Sequence, residues 1–447
     1  MTKFFQFCTT LSNLSGFSYF RTSLIQLPPI PSSILGISNI EVEDAEITTN
    51  NEFIITVKST ENEILCQKCG GTTSPHGYSP TIRLRHLPIF GKKTYIQITP
   101  VRGRCDNCKG NPTTTQTSSW YNKSNRQTKA YEEYLLLMLI NSTISDVSIK
   151  EDMGYKAIES IVDRYIETEI DWSKVKVIGL LGLDEISLKK GYQDYVTLIT
   201  SKTKDGVKIL GVLKGRDKAT VKAFLASIPK NLQKTIIAVC SDMYDGFINA
   251  VQEVFGDSIP VVADRYHVSK LYRKCLVSLR KRELKRLKKS LSKEEYLSLK
   301  PAISLLCRRK ELSIAEDEKK ILKPLFDAAP KIKEAYCLCL KLTSIYNSHS
   351  TADEAIKSMD SWILEVRKSK LTCFKDFIKS LQKYKKEICN YFINRNSSGF
   401  VEGFNNKAKV LKRRCYGITN IQHLFQRLVL DFSGYNLFLN NSNLQMA

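Results

Sequence analysis

Two short apolar runs in the middle of this chain each end on an aspartate, KVIGLLGLDEIS at Asp184 and TIIAVCSD at Asp242. Runs of this length, rich in Val, Ile and Leu and closed by polar residues, read as buried strands rather than helices. The pattern continues around them. YVTLITSKT and VKILGVLKGR follow the first run, separated by Gly191 and by Asp205-Gly206, which predicts a three-stranded meander. A helix is expected over Lys218 to Ile228, then the strand that ends at Asp242, a helix over Tyr244 to Phe255, and a fifth strand in IPVVADRYHV that feeds a long basic helix.

The order βββαβαβα is that of a ribonuclease-H-like fold, a mixed sheet with helices on its faces. In that architecture the ends of the first and fourth strands are neighbours, so Asp184 and Asp242 are expected to meet. Much further along, SSGFVEGFNNKAK places Glu402 in the first turn of a helix that also carries Asn405, Lys409 and Lys412. Three carboxylates brought from separate elements are what a pair of divalent ions about 4 Å apart needs in phosphoryl transfer. Lys409 follows Glu402 by two helical turns and shares its face, where it suits a substrate phosphate. Glu185, Asp245 and Asp264 are rival acids. Asp264 also ends a strand, with His267 three residues on, and this pair suits a supporting role beside the metal ligands.

The amino-terminal third has a different chemistry. Cys66-Gln67-Lys68-Cys69 and Cys105-Asp106-Asn107-Cys108 are two CxxC knuckles, enough thiolates for one tetrahedral Zn²⁺ that staples a zinc ribbon. Between them, TIRLRHLPIFGKKTYIQITPVRGRC alternates like a β-hairpin with Gly91 and two lysines at its turn. His76 and His86 are expected at the surface, because four cysteines fill the coordination shell. Arg83, Arg85, Lys92, Lys93, Arg102 and Arg104 make the ribbon basic, suited either to phosphate contacts or to an ordinary solvated face. TTTQTSS after Pro112 reads as a polar linker. Helical periodicity then begins near Gln127, with Tyr131, Leu135, Met138 and Leu139 on one face, a stop and fresh N-cap at Asn141-Ser142-Thr143, and a turn at Gly154. Three helices ending near Ile166 give a helix-turn-helix pattern in which Tyr155, Lys156 and Arg164 are candidate DNA contacts.

Lys and Arg number 68 against 45 acidic residues, a net charge of +23 that favours a polyanionic partner. The segment from Arg280 to Lys289 is dominated by cations, and KAKVLKRRCYG puts Lys412, Arg413 and Arg414 just beyond Glu402, where they are expected to hold DNA. The 13 cysteines are an odd number and several sit in apolar runs, which fits a reducing cytoplasm. No apolar stretch reaches the length of a membrane span.

Taken together, GLDEISLKKGYQDYVTLIT, CSDMYDGFINAV, VVADRYHVSKL and VEGFNNKAKVLKRRCYGITN resemble the DDE transposases of bacterial insertion sequences, specifically the ISL3 family. The resemblance implies a ribonuclease-H-like core with two Mg²⁺ ions (Mn²⁺ being the alternative), and recognition of terminal inverted repeats by the amino-terminal domains. It carries the catalytic residues onto Asp184, Asp242 and Glu402. The expected organisation is multidomain α+β and α/β. It comprises a poorly ordered extension over 1–30, a zinc ribbon over 31–115, a helix-turn-helix over 125–170, a catalytic core over 175–280, a helical insertion over 281–394 and the final core helix over 395–440. The expected partner is double-stranded DNA, at both transposon ends and target, bound by a homodimer or higher assembly at the nucleoid in the cytoplasm. The alternatives are a transposase-derived DNA-binding protein that no longer cuts, and a related nuclease that cuts without joining.

Overall fold

A computed structural model describes residues 25–26, 31–61, 63–188, 194–308, 315–348 and 351–439. The extension expected over residues 1–30 and the turn expected at Gly191 lie outside the described residues, except for a two-residue strand, β1 (Ile25–Gln26). The chain divides into two compact units, Met1–Ile161 with Gly434–Ala447, and Val162–Ser433.

In the first unit, strands β2 (Ile40–Ile47), β3 (Phe53–Ser59), β4 (Ser74–Tyr78), β5 (Ile82–Ile89), β6 (Lys92–Ile98), β7 (Val101–Arg104) and β8 (Thr113–Thr115) form two sheets. One has the order β1-β2-β3-β6-β5, the other β4-β7-β8. The expected hairpin exists as β5 and β6, closed by Phe90 and Gly91 at φ 50° and 70°, the two left-handed residues that a tight two-residue turn requires. It does not carry the cysteines. Its inward residues Ile96 and Ile98 join Leu35, Phe53, Ile55 and Val57 in a core of their own, while the knuckles flank the three-stranded sheet. Part of TTTQTSS is β8 rather than linker, because Gln116 is buried with its amide donating to Ser59 Oγ and Glu61 O, each at 2.9 Å. The helices follow as expected: α1 (Lys129–Leu139), α2 (Ile144–Glu151) and α3 (Tyr155–Tyr165). Thr128 and Thr143 cap the first two by accepting from Tyr131 N and Asp146 N. The left-handed residue after α2 is Asp152 (φ 48°), so the turn is made there and not at Gly154.

The second unit is built on a mixed sheet of β9 (Gly179–Ser187), β10 (Tyr195–Thr203), β11 (Gly206–Lys214), β12 (Ile236–Ser241) and β13 (Val261–Ala263). Its order is β11-β10-β9-β12-β13, with β9 to β11 an antiparallel meander and β12 parallel to both β9 and β13. Alternation assigns the faces. Leu181, Leu183 and Val239 face α4 (Lys218–Ser227) and α6 (Asp245–Phe255), packing on Val221, Leu225, Phe247 and Val251; a short α5 (Lys230–Gln233) links α4 to β12. Ala238, Cys240 and Val262 face the opposite way.

That second face is covered by the helical segment, which starts at Arg265 directly after β13, so the expected boundary at residue 281 falls inside a helix. Helix α7 (Arg265–Ser290) is followed by α8 (Lys293–Ser298), α9 (Lys300–Arg308), α10 (Glu316–Ala328), α11 (Pro330–Asn347), α12 (Ala352–Lys368), α13 (Lys375–Lys383), α14 (Lys385–Cys389) and α15 (Tyr391–Asn394). Trp362, Phe374, Phe377 and Ile388 share one core with Ala238, Cys240 and Val262 of the sheet. Asn390 Nδ2 donates to Val261 O at 2.8 Å, which ties this segment to the edge strand. The chain then returns through α16 (Gly399–Arg414) and α17 (Ile421–Phe438), whose Phe404, Ala408, Leu411, Leu424 and Leu428 cover β10 and β11. Among the described residues, no helix is long and apolar enough to cross a membrane.

Candidate active site

Register sets the acids in a row. Ser241 of β12 pairs with Leu183 of β9 on one side and with Ala263 of β13 on the other. Asp242 and Asp264, which follow the ends of β12 and β13, and Asp184 therefore sit at one level of three neighbouring parallel strands; Asp184 was expected at a strand end, but β9 continues to Ser187 because its pairing with β10 extends to Ser187 opposite Tyr195. Strand parity then sorts Asp184 from its neighbour. Asp184 lies on the same face as Gly182 and meets α16, where Asn405 Nδ2 donates to its Oδ2 at 2.6 Å. Glu185 points to the other face and accepts from Arg216 Nη1 at 3.0 and 3.1 Å.

Helix α16 comes close because Gly182 has no side chain. A Cβ there would sit 2.5 Å from Thr200 Oγ1, 2.5 Å from Val401 Cγ2 and 3.0 Å from Phe400 Cε2. This approach brings the first turn of α16, with half-buried Glu402, onto the strand that carries Asp184. Asn405 is buried one turn further on, and Lys409 is exposed beyond it.

The electrostatics separate the three aspartates. Burial, reinforced by the charge of Asp184, pushes Asp242 up to about 6, with the cations His267 and Arg216 opposing. Burial also raises Asp184, against the Glu185 N–H that its Oδ1 accepts at 2.7 Å. Asp264 goes the other way: burial pushes it up, but bonds from His267 and from Tyr266 N outweigh this and leave its carboxyl below the ordinary range. Asp264 caps α7 and pairs as an ion with His267 Nδ1 at 3.2 Å, and that contact raises the imidazole. Asp264 is engaged by the fold through its bond from Tyr266 N, whereas Asp242 Oδ1 and Asn405 Oδ1 are buried with no hydrogen-bond donor among the described residues, as His267 Nδ1 is with no hydrogen-bond acceptor. Orphaned acceptors of this kind are costly unless something else uses them.

The four cysteines converge as expected. Among the described residues theirs is the one group of three or more His, Cys, Asp or Glu ligand atoms lying within 4.8 Å of one another. Cys69 Sγ and Cys105 Sγ are 3.6 Å apart, near the edge of about 3.8 Å for a tetrahedron of Zn–S bonds of about 2.3 Å. The Cys69 and Lys68 N–H groups pull the Cys66 thiol down to about 6, toward the thiolate that binds metal. The set is compatible with zinc.

Several expected contacts lie elsewhere. His86 is buried, with Nδ1 at 2.9 Å from Thr128 Oγ1 and its pKa pushed down to about 4 by burial, so it is not a surface residue; His76 is exposed. Lys412 Nζ donates to Ser187 O and Leu188 O at 2.6 and 2.7 Å, and Arg414 pairs with buried Asp431 at 3.0 Å. Both charges serve the fold where DNA contact was expected, while Arg413 and Tyr416 at the end of α16 are exposed. Tyr155 is exposed, Lys156 pairs with Glu159 at 2.5 Å, and Arg164 is exposed on the last turn of α3. All six cations of the ribbon region have partners, such as Arg83 with Glu52 and Arg104 with Asp106. Sequence reasoning missed Gly182 and Arg216; the available signals were a glycine two residues before Asp184 and an arginine following a glycine at a strand end.

The family model described as an ISL3 transposase matches residues 181–428, which runs from within β9 to within α17 and includes Asp184, Asp242, Asp264 and Glu402. The chain is 24% identical over 387 residues to the transposase for insertion sequence element IS1001 of Bordetella parapertussis, covering 85% of this chain and 91% of that protein. It is 21% identical over 421 residues to the transposase for insertion sequence element IS1557 of Mycobacterium tuberculosis, covering 89% and 93%. With more than half of its length matched by the family model, the chain belongs to the ISL3 family of insertion-sequence transposases.

Proposed function

We propose that this protein binds the terminal inverted repeats of its insertion sequence and catalyses metal-dependent DNA strand cleavage and strand transfer, with Asp184, Asp242 and Glu402 as the catalytic acids of a ribonuclease-H-like core. The supporting observation is the register that sets Asp184 beside Asp242, with the first turn of α16, which carries Glu402, laid across Gly182 through Phe400 and Val401. The donor set suits a hard cation, being carboxylates plus the unused oxygens of Asp242 and Asn405. Two Mg²⁺ ions, or Mn²⁺ in their place, would lower the pKa of the attacking oxygen and neutralise charge on the leaving one.

The chain's own groups do the rest. Asn405 fixes the rotamer of Asp184, and Asp264 orients His267. Lys409 and Arg413 offer cations to the DNA backbone alongside. Water attacks a phosphodiester at the transposon end, and the freed 3′-hydroxyl attacks target DNA in a second in-line displacement. The cysteine sheet, stapled by Zn²⁺, and α1 to α3, read as a helix-turn-helix with Tyr155, Lys156 and Arg164 toward DNA, supply end recognition. Joining two ends requires a dimer or higher assembly.

The test is a plasmid excision assay with the DNA flanking this gene as donor. Wild type and Asp264→Asn are expected to excise, and Asp184→Asn, Asp242→Asn and Glu402→Gln to fail while still binding the ends. A wild type that binds the ends and never cuts would make this a DNA-binding relic, and the catalytic roles would be wrong.

A further inference from the structure

Arg216 lies between β11 and α4, and four contacts restrain it. Gly215 before it takes φ +81° and donates its N–H to Tyr195 O at 2.8 Å, which fixes the backbone. Nη1 donates to both oxygens of Glu185. The guanidinium carbon lies 4.8 Å from the ring centroid of Tyr195 and 5.2 Å from that of Tyr244. The Tyr244 ring can lie there because residue 246 is glycine; a Cβ would meet the ring at 2.4 Å. Glu185 follows Asp184 but points to the other face of β9; the link to the centre runs through Tyr244, two residues beyond Asp242, and through the Arg216 charge itself, which acts on the Asp242 carboxyl. Nε and Nη2 make no hydrogen bond to any described residue, and the side chain is 44% exposed.

An exposed ion pair contributes about 0–1 kcal/mol and needs no such bracket. A rigid fork beside a nest of carboxylates has a chemical use. A phosphodiester entering between Asp184 and Asp242 carries like charge, and a planar guanidinium with two free donors can bind a non-bridging oxygen as charge builds there. We propose that Arg216 contacts the DNA phosphate under attack and stabilises its transition state from the Asp242 side of the centre. The inference rests on the reading of this centre as DNA-cutting.

The experiment measures single-turnover cleavage of end DNA and equilibrium binding to it, with thermal unfolding as a fold check, for Arg216→Lys, Arg216→Gln and Glu185→Gln. Both arginine variants are expected to bind end DNA within about two-fold of wild type and to cut about 100-fold or more slowly. Lysine keeps the charge but lacks the fork. Glu185→Gln, which leaves the guanidinium intact, is expected to lose less than about ten-fold. The inference is overturned if Arg216→Gln cuts as wild type does, if Glu185→Gln loses as much as the arginine variants, or if weakened end binding accounts for the whole loss. A wild type that does not cut overturns the parent reading and this inference with it.

Discussion

Gly182→Ala tests how α16 reaches the sheet. Carbon atoms settle at about 3.5–4.0 Å, so a methyl 2.5 Å from Thr200 Oγ1 and Val401 Cγ2 requires a retreat of about 1 Å. Retreat of α16 relieves the contacts with Val401 and Phe400, while the buried Thr200 side chain must shift within β10 to relieve its own. Overpacking of this kind costs about 1–3 kcal/mol, and at about 2–4 °C per kcal/mol for a unit of this size the melting point should fall by about 2–12 °C. The catalytic effect should be larger in proportion. Glu402 and Asn405 both ride on α16, and a displacement of about 1 Å at a reacting centre costs on the order of 10²-fold in rate. Thermal unfolding and single-turnover cleavage of end DNA read the two effects separately. A Gly182→Ala protein that melts and cuts as wild type does would refute the claim that this glycine sets the approach of the helix.

Three further outcomes are expected. Folding raises the Asp242 pKa from 3.8 to about 6, so the native state binds more protons than the unfolded one across that window; the associated stability is present below it and lost as pH rises through it. Without divalent ions, Asp242→Asn should therefore stabilise the protein at pH 7.5 by on the order of 1–3 kcal/mol and have no such effect near pH 4, as read by thermal melts across pH. Cys66→Ser, or a zinc chelator, should expose the β4-β7-β8 sheet to amide exchange and weaken end binding while leaving exchange in β9 to β13 unchanged. Trp362 is 2% exposed, donates from Nε1 to Leu338 O at 2.8 Å and shares its core with Ala238 and Val262; Trp362→Ala should cost about 3–5 kcal/mol and lower the melting of the sheet and the helical segment together, whereas two separate transitions would deny the shared core.

Much of the second unit was legible because its strands are short apolar runs, of which β12 and β13 run directly into an aspartate, although β9 carries Asp184 inside the strand and not at its end. The period of two separates Asp184 from Glu185, and strand order makes β9 and β12 neighbours, which favours Asp242. Asp264 was a fair rival, since β13 ends at the same level; only its capping bond to Tyr266 and its pairing with His267 show that the fold uses it. What stayed hidden depended on long-range pairing. Alternation along β5 and β6 says that they form a hairpin but not that β6 lies parallel to β3 in a sheet apart from the cysteines. A cation count cannot tell that Lys412 and Arg414 turn inward to main-chain carbonyls and to Asp431. Nor does helical periodicity after Arg265 reveal that the segment shares a core with the sheet.

The most direct measurement is cleavage of labelled transposon-end DNA by purified protein in Mg²⁺, comparing wild type, Asp242→Asn and Asp264→Asn. The two substitutions remove one charge each from adjacent strand ends at the same level of the sheet. Cleavage abolished by Asp242→Asn and retained by Asp264→Asn, with end binding equal in all three, is the expected result. Cleavage that survives Asp242→Asn, or that Asp264→Asn abolishes instead, would contradict the assignment of the catalytic acids.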